Sequence, residues 1–237
     1  LSASAMIFYR RTPSSIEATW KYVFACSVSL VLVYVGILFT SISMGANAED
    51  GLSFATLKSH TSELDTMWLQ MAFIFIFVGY TAKMGLVPMF TAGIDAKDAA
   101  PTPAAAILSS VVMNAGFVGF FRFYAIVTQT SAYEWSRMVV LATGVISIFV
   151  AAVYLVKVHN VKRLFAYSSV EHIGVVMLGV AAGGVGVYAA ILHLVLHSFA
   201  KSAVMMHVGE LFRIFGTKQL SHMGRYINKS GAGAAIV

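Results

Sequence analysis

The sequence predicts an all-α fold, a polytopic bundle of transmembrane helices, and three observations carry that prediction. Of 237 residues, 59% are hydrophobic and only 11% charged, and the mean hydropathy is +0.81. A water-soluble surface needs far more charge than this. Six windows reach the roughly 20 mostly apolar residues that a helix needs to cross a bilayer. The single cysteine, Cys26, excludes a disulfide framework and offers no cysteine cluster for zinc or iron–sulfur.

The whole chain, 1–237, reads as one transmembrane domain. LSASAMIFYRR lacks an initiating methionine, a basic n-region and a cleavage site, so 1–9 is expected to be the tail of a helix that began earlier. The first span covers about 17–43. Glu17 and Lys21, at i and i+4, form an entry pair, and Trp20 and Tyr22 are expected as interface anchors. A polar, slightly acidic loop, GANAEDGLSFATLKSHTSELDT, leads to the second span, about 66–90.

That span carries Lys83 and then Pro88, which lacks an amide donor and clashes with the carbonyl four residues back. The helix is therefore expected to end or kink just beyond Lys83. MFTAGIDAKDAA is expected as a short cytoplasmic turn, with Asp95 and Asp98 near the positive end of the next helix. Pro101 and Pro103 open the third span, about 101–127, where a missing N–H costs little. Further spans follow over about 135–156, 162–182 and 185–212, and SGAGAAIV is expected to begin another helix over 231–237.

Loop charges set the orientation. Arg10, Arg11, Lys21, Lys97, Lys157, Lys162, Arg163, Arg213, Lys218, Arg225 and Lys229 fall on one side, against Lys58, Arg122 and Arg137 on the other. The basic side is cytoplasmic by the positive-inside rule. Topology thus accounts for the net charge of +6 without a nucleic-acid partner. The lipid bilayer is the partner that composition demands.

Ionisable residues within the spans are functional candidates, because a charge at the bilayer centre costs about 2.5–3.5 kcal/mol on insertion scales. Lys83 lies about 8 Å of helical rise before Pro88. It is either such a site or a lysine reaching the headgroups or pairing with a carboxylate. His193, His197 and Lys201 advance by four residues and form one slanting polar stripe. Imidazole titrates near neutral pH, and a desolvated lysine approaches that range, so the stripe suits proton transfer through bridging waters. Two alternatives stand: histidines bonding across helices, or a metal or haem site, for which a stripe without carboxylate or thiolate is a poor ligand set.

Ser168, Ser169, Glu171 and His172 extend the polar axis, or Glu171 neutralises a lysine on a neighbouring helix. His207 and Glu210 read as interfacial. No dinucleotide-binding G-x-G-x-x-G or P-loop is present.

Three blocks then carry a family resemblance: AKMGLVPMFTAGIDAKDAAPTPAAAILSS, NVKRLFAYSSVEHIG and LHLVLHSFAKSAVMMHVG. They resemble the antiporter-like, proton-pumping membrane subunits shared by respiratory NADH:quinone oxidoreductase, membrane-bound nickel–iron hydrogenases and Mrp-type cation/proton antiporters. The opening LSASAMIFYRRTPSSIEATWKY looks most like the hydrogenase-4 component F branch. The resemblance implies a fourteen-helix fold with inverted repeats and broken helices, of which this chain is a part. It implies that Lys83 is the lysine on the broken helix, that His193, His197 and Lys201 are the H-x-x-x-H-x-x-x-K stripe, and that a glutamate partner of Lys83 lies upstream of Leu1.

Where relatives read P-F-H-T-W-L-P-D-A-H, this chain has PMFTAGIDAK, and Ser109 and Asn114 stand where relatives place a histidine or lysine. Both residues donate and accept, so a water can join them to the axis. The implied function is proton translocation within a redox-driven complex. The chain is then a non-redox subunit without catalytic residues or metal, and nickel–iron, iron–sulfur or flavin centres belong to partner subunits. The implied location is the bacterial or archaeal cytoplasmic membrane, among other membrane and peripheral subunits. The alternatives are a stand-alone Mrp-type antiporter subunit, with protons or Na⁺ as the coupling ion, and a non-pumping structural anchor.

Overall fold

The computed structural model describes residues 2–10, 12–45 and 51–223. The helix expected over 231–237, together with Arg11, Arg225 and Lys229, lies outside the described residues.

A short helix, α1 (Ser2–Ile7), precedes the first long one, α2 (Pro13–Met44). Thr12 caps α2: its Oγ1 accepts from the Ser15 amide at 3.2 Å, and Ser15 Oγ accepts from the Thr12 amide at 3.0 Å. The loop that follows contains α3 (Phe54–Ser59). Next comes α4 (Thr66–Met84), capped by Asp65, whose Oδ1 accepts from the Met67 and Trp68 amides.

α4 ends at Met84, one residue beyond Lys83 as Pro88 predicts, and six residues before the limit of 90 expected for the span. Gly85 adopts φ 79°, ψ 31°, and its amide returns to the Thr81 carbonyl at 2.8 Å. This left-handed cap favours a residue without Cβ. The irregular backbone leading to Pro88 is satisfied from outside, since the Val87 amide donates to the buried Ser147 hydroxyl at 3.2 Å.

The segment expected as a cytoplasmic turn is instead a helix, α5 (Thr91–Ala99). Small residues with few breakers let it coil, and Ile94 and Ala96 are buried against its neighbours. Pro101 ends it and opens α6 (Thr102–Ser109), with Pro103 in the first turn. The third span is broken at Ser110, after which α7 runs Val111–Val127. Three more helices complete the bundle: α8 (Tyr133–Lys157), α9 (Val161–Ala182) and α10 (Val185–Phe215).

Among the described residues, six segments are long and apolar enough to cross a membrane, with α6 and α7 together forming one of them. Burial sorts these spans. The most apolar windows, in α2 and α8, are mainly exposed, those of α4, α6–α7 and α9 are half or more buried, and α10 is divided, with His197 and Lys201 inward and Leu192, Leu196 and Phe199 outward. Mixed polarity inside and uniform apolarity outside is the pattern expected where the outer surface meets lipid. α2 packs on α4, α4 on α7, α8 on α9, and α10 on both α9 and α6.

Close contact between α2 and α4 depends on Gly79, where an added Cβ would come within 2.8 Å of the Ser29 carbonyl. Ser29 Oγ also donates to the Gly79 carbonyl at 2.8 Å, so a small residue and a hydroxyl share one crossing. An aromatic core of Phe73, Phe77, Phe120 and Tyr124 fills the half of the bundle nearer the α4 N-terminus, with Phe77 and Phe120 rings 4.9 Å apart.

Candidate functional site: a buried polar axis

The site lies where α4, α5, α6–α7, α9 and α10 converge. On α10, His193, His197 and Lys201 share one stripe, and the helix presents it to α9. His172 Nδ1 lies 3.1 Å from His193 Nε2, one ring nitrogen donating and the other accepting. The His172 and His197 ring centroids are 5.0 Å apart. One turn further along α10, Lys201 Nζ donates to the Phe165 carbonyl at 3.0 Å and to Ser168 Oγ. His197 and Lys201 are only 6% and 5% exposed.

The stripe meets α7 through a side-chain hydrogen bond. Asn114 Nδ2 donates to Ser198 Oγ at 2.7 Å. Near it, Ser109 Oγ, Asn114 Oδ1 and both ring nitrogens of His197 are buried without a protein partner among the described residues. The Asn114 and His197 atoms flank the Asn114–Ser198 contact and make a polar lining suited to water, because buried polar groups in folded chains are paired with protein or with water.

Lys83 holds the other end of the axis. Its Nζ lies 3.1 Å from Cys26 Sγ, 3.5 Å from the Tyr22 hydroxyl and 5.1 Å from the Tyr22 ring centroid. The ammonium therefore has two polar acceptors and an aromatic face, all supplied by α2. Tyr22, expected at the membrane interface, is buried instead, while Trp20 is 71% exposed. Cys26 had no role assigned from sequence. The signal was present, since Tyr22 and Cys26 are four apart and share one helical face.

Glu171 makes no side-chain hydrogen bond with the described residues, although its charge acts on Lys201 and His172. His207, expected at the interface, is buried, with Nδ1 3.5 Å from Glu210 Oε2. Lys162, expected in a loop, is also buried: its Nζ donates to the carbonyls of Asp98 and Ala100, closing the C-terminal end of α5.

α5 divides two charge environments. Asp95 and Asp98 join an ionic network on the basic side of the bundle rather than serving the following helix. Asp98 pairs with Arg163 at 3.0 Å and Lys218 at 2.9 Å and accepts from Asn160; Asp95 pairs with Arg163 at 2.8 Å. Burial alone pushes the Asp98 carboxyl up, but Lys218, Arg163 and Asn160 outweigh it and hold the group below its usual 3.8. Lys97, expected among the loop charges, points the other way. It is 7% exposed, and burial lowers its ammonium to about 8.

With this geometry in place, comparison with known proteins gives its lineage. The family described as NADH:quinone oxidoreductase/Mrp antiporter, TM matches residues 2–231. This chain belongs to that family. A hydrogenase-4 component F homolog of Methylacidiphilum infernorum is 33% identical over 227 residues, which cover 94% of this chain and 48% of that protein. Hydrogenase-4 component B of Escherichia coli is 28% identical, covering 94% and 34%. NADH-quinone oxidoreductase subunit M of Pseudomonas aeruginosa is 26% identical, covering 87% and 40%. The chain thus spans about half or less of the length of these relatives.

Among solved structures, a chain of the membrane-bound sulfane sulfur reductase, an archaeal respiratory membrane complex, superposes with a TM-score of 0.85 at 24% identity, covering 94% of this chain and 45% of that one. A chain of the Mrp complex from Dietzia superposes with a TM-score of 0.76 at 18% identity, covering 88% and 38%. The shared fold is that of antiporter-like membrane subunits, and this family member is a multi-pass membrane chain.

Proposed function

We propose that this chain is part of a proton-translocating membrane subunit of a redox-driven complex, of the NADH:quinone oxidoreductase or membrane-bound hydrogenase and formate hydrogenlyase type. The observation that carries the reading is the polar axis of His193, His172, His197 and Lys201, which Asn114 joins through Ser198. Its members are titratable or able both to donate and to accept, and three of its buried polar atoms have no partner among the described residues. Bulk apolar packing gains nothing from such a line, and burying it is costly.

In this mechanism Lys83 and Lys201 are the principal carriers, and Ser109, Asn114 and the histidines relay protons through water. A signal from the redox partner changes the charge near Lys83, and with it the proton affinity of that amine. The nickel–iron, iron–sulfur or flavin centres sit in other subunits, and this chain handles protons.

Two experiments test this. The full-length protein, tagged and gently solubilised, should co-purify with hydrogenase-type or NADH-oxidising subunits identified by mass spectrometry. Recovery with antiporter-like membrane subunits only, together with Na⁺-dependent ΔpH in vesicles, would transfer the function to a stand-alone cation/proton antiporter. In the assembled complex, Lys83→Ala and Lys201→Ala should each abolish proton transport. Normal transport in both would overturn the mechanism.

A further inference from the structure

We infer that Lys97 is a further proton carrier, which takes a proton on the basic, cytoplasmic side of the bundle and passes it to Lys201, the two lysines holding one proton between them. The inference rests on the proton-translocating reading above and adds a loading site to it.

Three observations lead here. First, Lys97 is buried on the inner side of α5, while its neighbours Asp95 and Asp98 are committed to Arg163, Lys218 and Asn160 on the other side. Second, Lys97 forms no ion pair or hydrogen bond with the described residues, so no carboxylate holds its charge in place. A buried ammonium without a partner is destabilising, and a long apolar side chain would fill the same space at lower cost. Third, Ala96 and Ala100 of α5 share one buried cluster with Met205 of α10 and with Phe165, whose carbonyl accepts from the Lys201 ammonium, and the Lys97 charge acts on both Lys201 and His197.

Two buried ammonium groups whose charges interact through a weakly polar interior oppose each other's protonation, so the pair favours a single proton. The groups that set this balance are Lys201 and His197 on α10, with Glu171 and His172 on α9 acting on them in turn. On the far side of α5, Lys21 from α2 and Lys162 and Arg163 from α9 are engaged with the α5 carboxylates and carbonyls. Burial supports the assignment, since it brings Lys97 to about 8, within reach of exchange near neutral pH.

The transfer is a proton movement only. An N–H bond of the Lys97 ammonium breaks and leaves its electron pair on that nitrogen. The proton passes through water and forms an N–H bond on the neutral amine of Lys201. One positive charge moves inward along the axis, and Lys97 is free to reload from the cytoplasmic side.

The test uses the complete complex in proteoliposomes, driven by the electron donor that its co-purifying subunits identify, with a pH-sensitive dye as the readout. Lys97→Met should lose proton transport to background, yet assemble and show a higher thermal midpoint in detergent, because an unpaired buried charge has gone. Lys97→Arg should also lose transport, because arginine keeps its charge but does not release its proton. Lys97→His should retain transport with its optimum moved to lower pH, as the lower intrinsic pKa of imidazole requires.

Wild-type transport in Lys97→Met or Lys97→Arg, where Lys201→Ala is inactive, would overturn the inference and leave the broader reading intact. Wild-type transport in Lys201→Ala as well would remove both. A Lys97→Met complex that fails to assemble or melts lower would overturn the inference too, by marking Lys97 as structural.

Discussion

Lys83 Nζ lies 3.1 Å from Cys26 Sγ, so the amine on α4 is held by the one thiol of the chain, on α2. Replacing that thiol with an apolar group leaves the ammonium with Tyr22 alone, its hydroxyl at 3.5 Å and its ring face at 5.1 Å. Cys26→Val is therefore expected to destabilise the packing of α2 on α4 by about 1 kcal/mol, the low end of the cost of removing one partner, because the pair is only partly buried. Cys26→Ser keeps an acceptor and should stay near the wild type. Thermal unfolding of the two variants in detergent checks this, and equal midpoints for valine and serine would contradict it.

The contact between Asn114 and Ser198 joins α7 to the stripe on α10. Asn114→Leu removes both its donor and its acceptor while keeping similar bulk. Proton transport in the assembled complex should fall about tenfold or more, corresponding to a barrier increase of ~1.4 kcal/mol. Asn114→His restores a group that can relay and should recover part of the rate. Unchanged transport in Asn114→Leu would remove this residue from the path.

Asp98 gathers Arg163, Lys218 and Asn160 at one end of the bundle. Asp98→Asn should destabilise the protein by about 1.5–3 kcal/mol, the range for hydrogen bonds to a charged group. The sign with pH follows from a carboxyl held below its usual 3.8 in the folded chain. Its stabilisation is complete above that value and is lost as pH falls through the lower folded value. Thermal midpoints of wild type and Asp98→Asn should differ by a constant amount from about pH 5 to 8 and converge in stronger acid. A gap that widens on acidification would contradict this.

Gly116 brings α7 against the Lys83 turn of α4. A Cβ there would lie 2.8 Å from Lys83 Cβ and 3.2 Å from the Met84 amide nitrogen, both too close to be relieved by a side-chain rotation. Gly116→Val should destabilise the protein by about 1–3 kcal/mol, as overpacking does, and Gly116→Ala should do so less. Wild-type thermal stability in Gly116→Val would show that α7 moves without cost.

The sequence made the spans legible because apolar length and loop charge are local signals. It also placed His193, His197 and Lys201 on one face, because a spacing of four is a property of a single helix. What it missed depends on pairing between helices. Tyr22 has the composition of an interface anchor and is buried because other segments, α5 and α6 among them, pack over its face of α2, where its hydroxyl also meets Lys83. Lys97 looks like one more cytoplasmic charge until its segment coils into α5 and turns it inward. Asp95 and Asp98, close to a following helix in sequence, find stronger partners in Arg163 and Lys218, which lie 65 or more residues further along the chain. Ser198 adjoins a histidine of the stripe, but nothing local announces that Asn114 lies opposite.

The network around Asp98 also imposes a schedule on biosynthesis. Lys218 follows Asp98 by 120 residues, and it arrives with a strip of chain that pairs with the start of α9, where the Val161 amide donates to the Lys218 carbonyl and Leu220 donates to His159. At typical synthesis rates, α5 waits on the order of 10 s for that partner to leave the ribosome. During that interval the carboxylate faces the cytosol with Arg163 and Asn160 at most. The clasp closes only after α10 has been translated, so a chain interrupted before residue 218 leaves α5 without its last tether, and a newly inserted bundle can be told from a finished one by how readily a protease cuts near Asp98.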